Sequence, residues 1–285
     1  MRYLGSGLCG GLVGAAALAL AVGGAQAQDL LEEAKESGSI TVGIANEAPY
    51  GYMTPEGELT GEAPEIAKNI LAKMGIEEVE AVVTEFGSLI PGLKAGRFDI
   101  VAAGMFITPQ RCEQVAFSEP TYGIGQAFLV AEGNPKGLQT YEDIAADPDS
   151  TLAVMGGAIE RTYARDAGVP DDQVMVVPDT AAGTASVQAG RADAFALTSL
   201  SIRRLAENAD GVEMAEPFGE VGGTSVVGHG GFAFRPEDQA FLEAFNQQLA
   251  DFIGSEEHLE LVAPFGWTED ELPTMTTEEL CAQEG

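Results

Sequence analysis

Positive charge is scarce in this chain. Its 285 residues include 14 Lys and Arg against 45 Asp and Glu, which gives a formal net charge of −31 at pH 7. Attraction to Lys and Arg supplies most of the affinity of proteins for phosphate backbones and anionic lipid surfaces. We therefore expect no nucleic acid partner.

The first 27 residues have the pattern of a cleavable signal peptide. Arg2 precedes an apolar stretch from Leu8 to Val22, and residues 25–27, AQA, fit signal peptidase cleavage before Gln28. A membrane anchor is the alternative, but the stretch is short for a span of about 20 residues and is rich in Gly and Ala. We predict an exported, periplasmic protein with a signal peptide at 1–27.

Cysteine and histidine are also rare, which limits metal and nucleophile chemistry. His229 and His258 are too few and too far apart for a metal motif or a catalytic triad, so we expect no metal and no cofactor. Beyond the signal peptide the chain has two cysteines, Cys112 and Cys281. In an oxidising compartment they either form a disulfide or stay free thiols.

Two segments repeat each other 94 positions apart. Residues 95–99 read AGRFD and residues 189–193 read AGRAD, and an apolar run lies before and after each copy. A strand, a helix that stops at Gly and a second strand form a βαβ unit with parallel strands. The repeat predicts two lobes of similar α/β architecture.

Glycine-containing segments mark two candidate crossings between these lobes. Residues 122–130 and 224–234 combine glycines with apolar runs, and two such crossings make a hinge. We predict a first part of lobe one at 28–124, lobe two at 125–227, and a return of the chain to lobe one at 228–285.

A short helix start places an arginine where it is unfavourable. Thr108 has the pattern of an N-cap with Pro109 at the first helical position, so Arg111 falls in the first turn, near the positive end of the helix dipole. Either a bound anion or a salt bridge, for example to Glu113, accounts for its position.

The same region carries a family resemblance. Residues 105–122, MFITPQRCEQVAFSEPTY, together with residues 48–50, APY, and residues 231–235, GFAFR, resemble family 3 of the bacterial extracellular solute-binding proteins. The resemblance implies an α/β, two-lobed periplasmic-binding-protein type II fold, with two parallel-rich sheets joined by a two-strand hinge. It also implies a monomer without enzymatic activity, which captures a small zwitterionic solute and presents it to ABC transporter permease subunits.

In that family the arginine matching Arg111 holds the ligand carboxylate, and a guanidinium suits this role because it forms a two-bond fork. Backbone groups around Gly104 and Phe106 complete the grip. Amino-acid binders usually place an Asp after the second repeat, where this chain has Thr198. A neutral hydroxyl does not balance a primary ammonium, so an ordinary amino acid is disfavoured.

Aromatic residues point to a different ligand. Tyr50, Phe86 and Phe106 lie at loop edges that face one cleft, and Glu47 offers a counter-charge. Aromatic faces favour delocalised cations over strongly hydrated ones. The set resembles that of family members that bind ectoine and hydroxyectoine, and core packing is the simpler alternative for each ring.

The second lobe departs from the family pattern. Residues 156–160 read GGAIE where family members often carry hydroxyl side chains, so Ala158 and Glu160 are the candidate contacts there. Trp267 is expected in the core.

Three other functions are compatible with these residues. A polar amino-acid or opine binder would keep Arg111 and use Glu47 for the ammonium. An enzyme similar to periplasmic cyclohexadienyl dehydratases would need Glu47 or Glu160 as a positioned acid. A sensor domain would have to act through a partner protein.

Overall fold

The computed structural model describes residues 30–283, and the predicted signal peptide lies outside them. Within this range the chain forms fifteen strands and eleven α-helices. The strands are β1 (Ser39–Ile44), β2 (Tyr52–Met53), β3 (Leu59–Thr60), β4 (Glu78–Val83), β5 (Ile100–Phe106), β6 (Ala116–Phe117), β7 (Tyr122–Ile124), β8 (Gln126–Ala131), β9 (Leu152–Met155), β10 (Val174–Val177), β11 (Ala194–Thr198), β12 (Val212–Met214), β13 (Glu220–Val221), β14 (Thr224–Ser225) and β15 (Gly228–Phe234).

The helices are α1 (Leu30–Ser37), α2 (Glu62–Lys73), α3 (Leu89–Lys94), α4 (Pro109–Cys112), α5 (Tyr141–Ala146), α6 (Glu160–Asp166), α7 (Thr180–Gln188), α8 (Ser199–Asn208), α9 (Gln239–Phe252), α10 (Glu256–Val262) and α11 (Thr277–Cys281). Short 3-10 turns at Phe86–Ser88, Asp171–Gln173, Ala263–Phe265 and Glu269–Glu271 complete the secondary structure. No helix in residues 30–283 is long and apolar enough to cross a membrane.

Two mixed sheets carry the fold. The first has the order β4-β1-β5-β15-β6, with β7 also paired to β15, and the second has the order β10-β9-β11-β8-β12. In each sheet three neighbouring strands are parallel, and the next strand runs antiparallel to them. This confirms the predicted two-lobed architecture with parallel-rich sheets. We call the residues around the first sheet lobe one and those around the second sheet lobe two.

The sequence repeat corresponds to equivalent parts of the two sheets. The strands of the first copy, β4 and β5, flank β1, and those of the second copy, β10 and β11, flank β9. Each copy is therefore a strand-helix-strand unit whose parallel strands have a third strand between them.

The chain passes between the sheets twice. It leaves the first sheet at Ile124, enters the second at Gln126, and returns to the first at Gly228. Because ligands of open α/β sheets bind beyond the carboxyl ends of parallel strands, these connections place two such edges on either side of one cleft.

Three apolar clusters fill the interior. One lies mainly in lobe one around α2 and α9, where Phe241, Phe245 and Phe252 recur on one helix face, and another lies within lobe two. The remaining cluster joins residues of both lobes, including Leu89 of lobe one and Met155 and Leu197 of lobe two. The lobes are thus packed against each other.

Candidate functional site

A cleft lies between the lobes, and about 320 Å³ of space, part of it open to solvent, lies between its walls. Its lining residues from lobe one are Glu47, Tyr50, Phe86, Gly104, Phe106 and Arg111, and those from lobe two are Met155, Ala158, Ile159, Glu160, Leu197 and Thr198. All nine residues that the sequence singled out line this one cleft. Met155, Ile159 and Leu197 were missed, because apolar residues at strand ends and before a helix have the sequence pattern of ordinary core residues.

Arg111 is held at the cleft by its own helix start. The Thr108 side chain accepts a hydrogen bond from the Arg111 backbone N–H at 3.3 Å, and Pro109 occupies the first turn, as predicted. The guanidinium donates to the Phe106 carbonyl at 2.7 Å and to the Gly157 carbonyl of lobe two at 3.0 Å. The alternative of a salt bridge to Glu113 is wrong, because no ion pair among residues 30–283 involves Arg111.

Arg111 also lies over an aromatic ring. Its guanidinium carbon is 5.4 Å from the centroid of the Phe86 ring, within range of a cation–π contact. Burial lowers the pKa of Arg111, while the nearby Glu160 opposes this change. The guanidinium stays protonated at neutral pH and remains suited to a carboxylate.

Tyr50 belongs to a compact aromatic cluster. Its ring centroid is 5.3 Å from that of Tyr122 and 5.1 Å from that of Trp267, with the Trp267 ring nearly perpendicular to it. The Tyr50 ring lies against Gly104, where any Cβ would overlap the ring, which explains why glycine is needed there. Trp267 is buried as predicted, but its contact with a cleft-lining ring is one that the sequence did not indicate.

A buried carboxyl group stands behind this aromatic cluster. Glu62 begins α2, is fully buried and accepts a hydrogen bond from the Thr121 hydroxyl at 2.8 Å. Burial raises the pKa of Glu62 to about 8, and the bond from Thr121 partly offsets this. No sequence pattern marked Glu62 as buried, since a glutamate in a first helical turn is usually exposed.

Two further carboxyl groups face the cleft, one from each lobe. Glu47 and Glu160 are both buried, with 5% and 3% of their surface exposed. Burial raises the pKa of Glu47 to about 7, partly offset by a hydrogen bond from Ser201. Burial also raises the pKa of Glu160 to about 8. Neither group forms an ion pair within the described part of the chain.

Side chains of lobe one bond directly to lobe two. The Tyr50 hydroxyl donates to the Thr198 hydroxyl oxygen at 2.9 Å, and the Ser201 hydroxyl donates to Glu47 at 2.7 Å. Together with the bond from Arg111 to Gly157, these contacts close the cleft. Ser201 lies three residues after Thr198, on α8, and no sequence motif marked it.

Backbone also touches backbone across the cleft. A Cβ added to Gly157 would lie 2.5 Å from the Cα of Gly87, and Gly157 has a φ of +80°. Both the positive φ and the close approach require glycine at position 157. The lobes could not meet in this way with a larger residue there.

A disulfide fixes the short helix that carries Arg111. Cys112 and Cys281 are bonded, with an S–S distance of 2.02 Å, so the C-terminal helix α11 is tied to α4. In the described residues no group of three or more His, Cys, Asp and Glu side chains is arranged to hold a metal ion.

Comparison with known proteins supports the class of protein that this geometry defines. The two lobes, the double crossing and the cleft between the lobes are those of a type II periplasmic binding protein. Residues 40–267 match the sequence profile of the bacterial extracellular solute-binding proteins, family 3. The chain belongs to this family.

Individual relatives cover most of the chain. The probable amino-acid ABC transporter periplasmic-binding protein y4tE of Sinorhizobium fredii is 39% identical over 259 residues, 88% of this chain and 86% of the relative. The crystal structure of EhuB in complex with hydroxyectoine is 40% identical, with a TM-score of 0.82 over 89% of this chain and 98% of EhuB.

A third neighbour is relevant to the enzyme alternative. The ancestral amino acid-binding protein AncCDT-1, a precursor of cyclohexadienyl dehydratase, is 29% identical, with a TM-score of 0.73 over 83% of this chain and 99% of its own. The family consists of extracellular solute-binding proteins, and y4tE is described as a probable ABC transporter periplasmic-binding protein. The expectation of a non-enzymatic protein is thereby confirmed.

Proposed function

We propose that this chain captures ectoine or 5-hydroxyectoine in the cleft between its lobes and delivers it to the permease of an ABC importer. The proposal depends on one observation above all. One cleft between the lobes combines the Arg111 guanidinium, the rings of Tyr50, Phe86 and Phe106, and the Glu47 carboxyl group.

These groups match the two charges of an ectoine. Ectoines carry a carboxylate, for which a guanidinium offers two parallel donors. They also carry a cyclic amidinium, a delocalised cation that aromatic faces hold at about 2 kcal/mol when water is excluded. The Glu47 carboxyl group would then accept a hydrogen bond from an amidinium N–H. The hydroxyectoine complex of EhuB, at 40% identity, agrees with this assignment.

The residue at position 198 in lobe two disfavours an ordinary amino acid as the ligand. Thr198 stands where family members that bind amino acids usually have Asp, and its hydroxyl oxygen already accepts hydrogen bonds from the Tyr50 hydroxyl and the Ser201 N–H. A neutral oxygen with these partners is poorly suited to a primary ammonium, which brings three donors and a localised charge.

A polar amino acid or opine is the second candidate, and Glu160 is the observation that favours it. With Glu47 and Glu160 both at the cleft, an ionised pair would suit a ligand with more cationic nitrogen than an ectoine has. The name of y4tE points in the same direction, since that relative is described as a probable amino-acid binder.

A thermal-shift panel separates the two candidates. The chain from Gln28 onward is heated with ectoine, hydroxyectoine, glycine betaine, glutamate, glutamine or arginine, at moderate and at high salt. A ligand at 100 times its Kd stabilises the folded state by about 2.7 kcal/mol, which raises the Tm by roughly 5 to 10 °C.

We expect that shift with the two ectoines alone. Glycine betaine is the matched control for the rings, because it has a carboxylate and a diffuse cation but no N–H for Glu47. A shift with glutamine or arginine and none with ectoine would replace the proposal by the amino-acid function.

A further inference from the structure

Glu160 has one carboxyl oxygen that the protein does not satisfy. The Gln126 amide, oriented so that its nitrogen meets acceptors, donates to Oε1 of Glu160 at 3.1 Å and to the Leu197 carbonyl at 3.3 Å. The other oxygen, Oε2, is buried without a hydrogen-bond partner. An ionised carboxylate accepts bonds at both oxygens, and an unpaired buried acceptor is costly.

The nearby cation, Arg111, forms no hydrogen bond with this carboxyl group. Arg111 directs its guanidinium to the Phe106 and Gly157 carbonyls and not to Glu160. The titratable groups that face Glu160 are Glu47 from the loop after β1, Arg111 from α4, Tyr141 from α5 and Tyr163 from α6. Burial has the largest effect on the pKa of Glu160 and raises it, and the charge of Glu47 adds to this rise. A hydrogen bond from the backbone N–H of Glu160 itself and the charge of Arg111 lower the pKa but do not cancel the rise. The surroundings therefore favour the protonated carboxyl group near neutral pH.

If Glu160 is protonated, its unpaired oxygen Oε2 becomes a hydrogen-bond donor instead of an unsatisfied acceptor. Oε1 accepts a hydrogen bond from Gln126, and the O–H at Oε2 needs one acceptor. A ligand bound in the cleft can supply that acceptor. Residues 156–159, GGAI, supply no side-chain donor on this wall of lobe two. A ligand oxygen that reaches this wall would otherwise depend on backbone N–H groups.

We propose that Glu160 is held as a neutral acid and donates its O–H to an oxygen of the bound ligand. This inference rests on the proposed function, because it assumes an ectoine in the cleft. It makes Glu160 a specificity-determining residue, since a ligand with an acceptor oxygen at this wall is favoured and a ligand that places an ammonium there is not. The oxygen belongs either to the ligand carboxylate or to the hydroxyl of hydroxyectoine.

The test is the pH dependence of affinity. The Kd for ectoine and for hydroxyectoine is measured by calorimetry from pH 6 to 9.5 with the wild type, Glu160→Gln and Glu160→Ala. Glu56→Gln, at an exposed position in lobe one, is the matched control. Glu47→Gln removes the titration of the other carboxyl group at the cleft, so that the pH dependence due to Glu160 is measured alone.

Loss of the proton should weaken binding by the wild type up to tenfold per pH unit above the pKa of Glu160. Glu160→Gln, whose amide N–H still donates, should bind within about threefold of the wild type at pH 6 and show no such loss at high pH. Glu160→Ala should bind more weakly at every pH. A pH effect with both ectoines assigns the oxygen to the carboxylate, and an effect with hydroxyectoine alone assigns it to the hydroxyl.

The opposite pattern would overturn the inference. If Glu160 acts as an anion, affinity rises with pH and Glu160→Gln loses as much as Glu160→Ala. A second measurement does not depend on ligand identity: the carboxyl carbons of the Glu side chains are titrated by NMR in the ligand-free wild type and in Glu160→Gln. A resonance with a midpoint of pH 7 or above that disappears in the variant supports the neutral acid, and a midpoint near 4.5 refutes it, even if the protein binds no ectoine.

Discussion

The two copies of the repeat are nearly identical as scaffolds and different as parts of the site. Gly96 and Gly190 have φ values of +66° and +63°. Asp99 accepts a bond from the Thr41 backbone N–H at 3.2 Å, and Asp193 accepts one from that of Thr151 at 2.8 Å. The pentapeptide thus ends a helix and ties the next strand to its neighbour in the same way in both lobes.

The two copies differ in the residues that follow their second strand, and these residues determine which groups each lobe presents to the cleft. In lobe one, β5 continues to Phe106 and then to the short helix with Arg111. In lobe two, β11 ends at Thr198, which directly caps α8. Lobe one therefore supplies the charged and aromatic groups, and lobe two supplies a carbonyl, a hydroxyl and the Glu160 carboxyl group to close over them. The repeated strand-helix-strand unit positions the walls of the cleft, and the residues that follow its second strand supply the groups that face the ligand.

Removal of Arg111 should be the most damaging change on the lobe-one side. Arg111→Ala deletes the group that meets the ligand carboxylate and also the bond to Gly157, so affinity should fall by about 3 kcal/mol, more than a hundredfold. Calorimetry with ectoine measures it. The exposed Arg97→Ala, in the repeat of the same lobe, is the matched control and should bind like the wild type; equal affinity of both variants would refute the role of Arg111.

Obstruction of lobe two at Gly157 should cost somewhat less. Gly157→Ala adds a methyl group 2.5 Å from the Cα of Gly87, so the lobes cannot close fully and affinity should drop by tenfold or more. Gly168→Ala is the matched control, because Gly168 has a similar φ of +86° but nothing within 4 Å of an added Cβ. Similar losses in both variants would mean that backbone strain, and not lobe contact, is responsible.

The hydrogen bond between Tyr50 and Thr198 links the two lobes and should have a smaller effect. Tyr50→Phe keeps the ring and removes the bond, which is expected to weaken ligand binding by about 1 kcal/mol, roughly fivefold. A double-mutant cycle with Thr198→Val measures the coupling. Fully additive effects of the two changes would show that the bond does not contribute to the closed, liganded state.

Changes in the repeat itself should leave binding intact. Asp99→Ala and Asp193→Ala each remove a backbone hydrogen bond and an ion pair, to Arg235 and Lys136 respectively, so each should lower the free energy of unfolding by about 1 to 2 kcal/mol. Urea unfolding and ectoine titration measure both consequences. A change of ligand affinity in either variant would contradict the separation of scaffold and site.

The sequence predicted the scaffold and most of the site. The repeat at Gly96 and Gly190 has a local cause, positive φ at a helix end, and local patterns are readable from sequence. Arg111 was readable for the same reason, since its helix start lies in three consecutive residues. The partners of these groups were not readable from the sequence. Gly157 and Ser201 bond to lobe one only because the two lobes pack together, and Gln126 meets Glu160 only through the folding of lobe two. Burial of Glu62 likewise depends on distant elements.

Calorimetric titration of the chain from Gln28 with ectoine, hydroxyectoine and glutamine measures which solute the cleft binds. We expect saturable binding of both ectoines at one site per chain and no heat with glutamine. Saturable binding of glutamine without binding of either ectoine would contradict this expectation, and would mean that Glu47 and Glu160 hold an ammonium despite the absence of an Asp at position 198.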